Sequence, residues 1–346
     1  MVKMTDDTAA PSTPDRAKLH EIAGEAGVSL STVSKVLNGR TDVAAHTRSR
    51  VEDLLDRHGY ARRSGLPGRS TLIELVFPEL ETAWAMEIIR GVENVARANG
   101  LSVVLSETGT KHAPSPEWVA GVLRRRPVGV VLVFSDLADE TKAQLRSRAI
   151  PFVIVDPAGD PAPDVPAVGS ANWSGGLQAT RHLIELGHSR IGAITGPGDM
   201  MCSLARVDGY RSALSSAGIP VDDDLIAFGN FQVDGGRDRA RDMLSLADPP
   251  TAIFAGSDLQ ALGVLDAARS LGLSVPRDLS VVGYDDLQLA EWTSPALTTI
   301  HQPLTRMAEE AARLVVSMSE RDLETIPRVD LATHLVVRES TAAPAR

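Results

Sequence analysis

The chain has one cysteine, Cys202, in 346 residues, so no internal disulfide can form. Aromatic residues are scarce: four Trp, three Tyr and six Phe. No apolar stretch is long enough to span a bilayer, and no N-terminal apolar run resembles a secretory leader. A cytoplasmic protein with no membrane partner is therefore expected. Enzyme signatures are missing as well. Gly196-Pro-Gly198 follows an apolar run, yet neither G-x-G-x-x-G nor G-x-x-x-x-G-K-[ST] occurs. His182 and His188 have no Cys or acidic partner at metal-ligand spacing, and there is no nucleophile elbow. No cofactor, no metal and no catalysis are expected.

What is present is unevenly distributed. The net charge of −10 argues against a nucleic-acid partner until it is divided by segment. Residues 16–70 hold ten Lys or Arg against six Asp or Glu, a net +4, whereas residues 71–346 are at −12. A basic head on an acidic body fits a protein that grips phosphates with one end only. Residues 1–16, rich in Thr, Asp, Ala and Pro, read as a disordered tail.

The head has helical periodicity. Leu19, Ile22, Ala23 and Ala26 share one face, Gly27 stops that helix, and Ser29 is placed to cap a second. Val33, Val36 and Leu37 form the second helix's buried stripe, and Leu30, Ser31, Ser34 and Lys35 point outward until Asn38-Gly39 ends it. A third helix runs from about Thr47 to His58, with Val51, Leu54 and Leu55 as its core face. Two short helices joined by a tight Gly turn form a helix-turn-helix, whose common use is to put the second helix into a major groove.

After Arg69 the pattern becomes alternating strands and helices. Apolar strands are read at 72–77, 101–106, 128–134 and 151–155, then at 191–195, 225–228, 251–255 and 280–284. Helices at 86–99, 119–125 and 141–148 separate the first set, and helices at 175–186, 205–217, 236–246 and 259–271 belong to the second. Near-continuous apolar strands alternating with helices imply parallel sheets covered on both faces, here in two lobes, with a ligand crevice at the strands' carboxyl ends.

Several stretches resemble the LacI/GalR family of bacterial transcription regulators. They are Glu25 to Gly39, His182 to Ile191, Arg206 to Tyr210, Ser257 to Gly263, Leu279 to Asp286, and Leu297 to Pro303. The resemblance covers Lys18 to Ser340. It implies an all-α helix-turn-helix head at 17–60, a hinge at 61–70, and an α/β periplasmic-binding-protein-like body at 71–340. Lobe 1 is expected over 71–172 and 302–328, and lobe 2 over 173–301 and 329–340. It further implies a homodimer reading a near-palindromic double-stranded operator, with a small-molecule effector that alters lobe closure.

Carried over by position, the resemblance puts Leu30, Ser31 and Lys35 at bases, and Thr32, Ser34 and Arg48 nearer phosphates. The hinge departs from the family. Tyr60 to Ser70 is about five residues short and holds two Gly and one Pro, which oppose a helix. Leu66 is the candidate minor-groove wedge, and Arg62, Arg63 and Arg69 are alternative grips. In the body, Arg206 and Asp285 fall where the family anchors its effector. Trp84, Trp173, Phe231 and Trp292 all follow strands, where rings could stack on sugar C–H faces. Ser257, Asp258 and Gln302 are secondary candidates, and Cys202 is read as a buried thiol near the ligand. The function expected is repression of carbohydrate-utilisation genes relieved by a sugar. A purine or phosphorylated effector is the alternative, with a solute-binding protein or sugar-acting enzyme as rivals from other classes.

Overall fold

The computed structural model describes residues 14–37, 43–57, 71–80, 83–108, 114–321 and 325–345. The chain divides into two compact units, 1–71 and 72–346. The hinge candidates Arg62, Arg63, Leu66 and Arg69, and the helix stop Asn38-Gly39, lie outside the described residues.

The first unit holds α1 (Pro14–Ala26), α2 (Leu30–Leu37) and α3 (Ala45–Arg57). Helix α1 opens at Pro14, three residues before the boundary drawn from composition. It closes as the sequence suggests. Gly27 takes φ +63°, its N–H reaches the Gly24 carbonyl, and the Val28 N–H reaches the Ala23 carbonyl. This paired closure leaves no room for a second helical direction and forces the tight turn. Ser29 Oγ accepts the Thr32 N–H at 3.2 Å and so caps α2. Ile22, Ala26, Val33, Val36, Val51, Leu54 and Leu55 are buried together, so three short helices share one small core.

The second unit is an α/β body with two six-stranded sheets. The first contains β1 (Leu72–Phe77), β2 (Ser102–Glu107), β3 (Gly129–Val133), β4 (Phe152–Val155), β5 (Ala167–Ser170) and β11 (Arg328–Leu331), in the order β11-β5-β4-β3-β1-β2, all parallel. Alternate strand residues feed two cores. Leu75, Val131 and Val153 pack under α4 (Ala83–Ala98) and α12 (Leu304–Glu320). Val76, Val130, Leu132 and Phe152 pack under α5 (Pro116–Arg125) and α6 (Asp139–Ser147). Both faces are apolar, as a parallel sheet between helices requires.

The second sheet contains β6 (Ile191–Thr195), β7 (Ile226–Phe228), β8 (Ala252–Ala255), β9 (Ser280–Asp285), β10 (Thr298–His301) and β12 (His334–Val336). Its order is β12-β10-β9-β8-β6-β7, parallel except for β12. Helices α7 (Asn172–Glu185) and α8 (Met201–Ser216) cover one face. Helices α9 (Val233–Leu244) and α10 (Asp258–Ser270) cover the other, and the short α11 (Leu289–Trp292) follows β9.

The chain passes between the lobes three times: at Ala171, at Gln302-Pro303, and at residues 332–333. The third crossing corrects the sequence boundary. Residues 329–331 belong to lobe 1, because β11 adds in parallel to the edge of β5 before the chain returns.

Candidate functional site

The head presents α2 as the sequence suggests. Ser31, Ser34 and Lys35 are exposed, and Leu30, Thr32 and Arg48 are half-buried. Ser29 Oγ contacts Ser31 Oγ at 2.7 Å and Thr32 Oγ1 at 2.9 Å. The N-terminal turn of α2 is thus held by its own hydroxyls, with Lys35 one turn further on. A hydroxyl-rich helix start followed by a cation suits a polyanion.

In the body, a cavity of about 410 Å³ opens between the lobes at the carboxyl ends of both sheets. Lobe 1 contributes Phe77, Glu79, Trp84, Phe134 and Asp156; lobe 2 contributes Asp199, Cys202, Arg206, Phe231, Ser257 and Asp285, among others. Trp84 stacks on Phe134, with ring centroids 4.7 Å apart and planes at 27°. The lobe 1 wall is therefore a flat apolar platform.

Arg206 anchors the other wall. It is buried on α8 and donates from Nε to Asn172 Oδ1 at 2.9 Å, from Nη1 to the Gly256 carbonyl, and from Nη2 to Gln302 Oε1 at 3.4 Å. Its guanidinium lies over the Tyr284 ring, 3.7 Å from the centroid, and 5.4 Å from that of Phe231. Two buried carboxylates face it. Burial pushes the carboxyls of Asp156 and Asp285 above the ordinary carboxylate range, and Arg206 opposes both shifts. Asp156 Oδ2 is buried without a hydrogen-bond partner. An acceptor left open in a cavity wall is what an incoming hydroxyl donor satisfies. The Cys202 thiol is pushed up to about 12 by burial, which makes it an inert part of the wall.

Backbone strain marks the same place. Among the described residues, seven non-glycine residues have positive φ, and four of them, Phe134, Asp156, Phe231 and Asp285, line the cavity. Left-handed backbone at bulky or acidic residues costs energy, and such strain collects where side chains must be aimed.

Of the sequence candidates, Trp84, Arg206, Phe231, Ser257 and Asp285 meet at this cavity. Ser257 has its hydroxyl engaged: Oγ accepts the Gln260 N–H at 3.0 Å and donates to the Phe231 carbonyl at 2.9 Å. Gln302 stands behind the wall, donating to Ser170 Oγ at 3.0 Å. Trp173 and Trp292 do not line the cavity and are 45% and 71% exposed. Both follow strands, but their helices turn the rings outward. Asp258 is fully buried outside the lining. Sequence reasoning missed Phe134 and Asp156, each the first residue after an apolar strand; that position was the available signal. His182 and His188 have structural partners, Thr341 for the first and Thr251 and Ser280 for the second.

A helix-turn-helix head and a body holding a cavity with a few buried polar anchors between two lobes define a ligand-responsive DNA-binding regulator. Residues 18–63 match the bacterial regulatory proteins of the lacI family, and residues 180–341 match the periplasmic binding protein-like domain. The transcriptional regulator CelR of Thermobifida fusca is 37% identical over 338 residues, covering 94% of this chain and 98% of its own. The solved CelR–cellobiose complex superposes with a TM-score of 0.72 at 35% identity, over 93% of this chain and 99% of that one. The lac repressor dimer bound to operator and the anti-inducer ONPF gives 0.70 at 26% identity, over 96% and 100%. The chain belongs to the LacI family of bacterial transcriptional regulators. These relatives are regulators, not enzymes. Among the described residues, no helix is long and apolar enough to cross a membrane.

Proposed function

We propose that this regulator represses carbohydrate-utilisation genes and releases its operator when a neutral sugar binds between the lobes. The cavity's charge carries the reading. Among the described residues that line it, the acids are Glu79, Asp156, Asp199 and Asp285 and the only cation is Arg206. That balance disfavours a phosphorylated metabolite and suits hydroxyls, which donate to carboxylates and accept from the guanidinium. The Trp84–Phe134 platform supplies the apolar face that pyranose C–H groups stack on. At about 410 Å³ the cavity is within the size range of small-molecule sites and has room for a disaccharide. The relative solved with cellobiose makes a β-linked disaccharide the first ligand to test.

A sugar touching Asp156 and Trp84 in lobe 1 and Arg206 and Asp285 in lobe 2 binds the closed body better than the open one. It therefore shifts the population toward closure. On DNA, a cytoplasmic homodimer reads a near-palindromic operator. Leu30, Ser31 and Lys35 face base edges, Thr32, Ser34 and Arg48 face phosphates, and Arg62, Arg63 and Leu66 serve the minor groove.

The test is tryptophan fluorescence and thermal shift against cellobiose, other disaccharides, monosaccharides, sugar phosphates and purines. Operator release is then followed by fluorescence anisotropy. Saturable binding of a neutral sugar that releases operator is expected. A response confined to purines or phosphorylated sugars overturns the effector class.

A further inference from the structure

Asp258 is a buried carboxylate that the cavity does not use. It is the first residue of α10, directly after Ser257, and is 0% exposed. Among the described residues no cation forms a salt bridge with it. Instead Oδ2 accepts the Leu287 backbone N–H at 2.7 Å, and Oδ1 accepts the Thr299 hydroxyl at 2.6 Å. Thr299 on β10 is the register partner of Gly283 on β9, and a Cβ at Gly283 would collide with Asp258 Oδ1. The carboxylate thus occupies the space that the missing side chain leaves, with β9 and β10 built around it.

Between Gly283 and Leu287 two consecutive residues take positive φ. Asp285 sits at φ +110° and Asp286 at +59°. Asp285 reaches the cavity, whereas Asp286 faces the other way, accepting from Arg338 at 2.7 Å and pairing with His301 Nδ1 at 3.0 Å. The two-residue turn is strained for side chains of this type and needs a fixed end. Asp258 supplies it at Leu287. Burial raises the Asp258 carboxyl to about 7, with its two donors opposing, so the core tolerates an expensive group at this point. Loop anchoring accounts for its presence there.

We propose that Asp258 is a positioning residue for effector recognition, holding the Asp285–Leu287 turn in the conformation that aims Asp285 into the cavity. This rests on the reading of Asp285 as an effector contact, and the controls separate the two. Asp258→Ala leaves the Leu287 N–H unpaired, and cellobiose binding is expected to weaken roughly tenfold or more. Operator affinity of the sugar-free protein should stay within about twofold, because this residue is remote in sequence from the head. Asp258→Asn can still accept from Leu287 and donate to Thr299 Oγ1, and it should restore most of the affinity. Hydrogen exchange of the sugar-free protein gives a ligand-independent arm: the Leu287 amide should exchange roughly tenfold faster or more in Asp258→Ala, with the middle of β9 unchanged. If the alanine variant does not fold, Thr299→Val removes one donor alone and should move both readouts the same way. Unchanged exchange at Leu287, or unchanged sugar affinity where Arg206→Ala abolishes it, overturns the proposal. An Arg206→Ala variant with wild-type sugar affinity overturns the cavity reading beneath it.

Discussion

Arg206 is one buried cation facing two buried carboxylates. Removing it leaves Asp156 and Asp285 facing each other unpaired, so Arg206→Ala should abolish sugar response in the operator-release assay and lower the melting temperature. Asp285→Asn should do the opposite to stability. Because burial raises the Asp285 carboxyl, the folded protein holds that proton more tightly than the unfolded chain does. Between the ordinary carboxylate range and the raised value, stability falls as pH rises, and it is flat above. The asparagine variant lacks this loss. It should melt higher than wild type at pH 8, by about 2–4 °C if the effect is near 1 kcal/mol. The gap should narrow as the pH falls from the raised value toward the ordinary carboxylate range, at about pH 4, in a differential scanning experiment; an offset that is the same at pH 8 and at about pH 4 counts against a burial cost. At this scale the sequence was half legible. Arg206 and Asp285 stood in recognisable motifs, and Trp84 and Phe231 followed strands into the cavity. Trp292 obeyed the same rule and failed it, because following a strand fixes position but not the direction of the ring. Phe134 and Asp156 carry no motif; a single left-handed residue at each strand end aims them inward, and no periodicity encodes that.

Among the elements, α2 and its preceding turn govern the head. Gly27 has open space where a Cβ would go, so Gly27→Ala introduces no clash and only the cost of left-handed backbone. A loss of about 1 kcal/mol in head stability is expected, read as earlier thermal unfolding of residues 14–57 by NMR or hydrogen exchange. Lys35 is exposed on α2, and Lys35→Ala should weaken operator binding by about 1–3 kcal/mol while changing bulk-DNA binding less. Equal losses on both DNAs would make Lys35 a phosphate contact alone. Element types were legible through most of the alternating pattern, but α12, Leu304–Glu320, was not among the helices read from the sequence although its apolar residues recur at helical spacing. Boundaries slipped where caps decide them: α5 starts at Pro116 because Ser115 caps it, three residues before the start read from the sequence. Strands β5, β11 and β12, of four, four and three residues, were too short to show a period of two.

For the whole molecule, the charge division has a measurable consequence. With the net positive charge confined to 16–70 and a net acidic remainder, the head is the segment suited to holding phosphates. Four phosphate contacts would cost on the order of 10²-fold in operator affinity between 50 and 200 mM salt, while affinity for a neutral sugar should hardly change. Anisotropy titrations at the two salt concentrations check both halves. A further consequence lies in the three crossings. Lobe 1 is not finished when β5 has been made, since α12 and β11 come from residues beyond 303. Lobe 2 also waits, for β12 at His334–Val336. On the ribosome, neither half of a nascent chain can close its sheet until nearly all of it has emerged. A message interrupted at codon 300 would yield two unfinished sheets rather than one good lobe, and neither lobe can be inherited, swapped or expressed as a simple stretch of sequence. The path that ties the two walls of the cavity together also makes them one indivisible unit of synthesis.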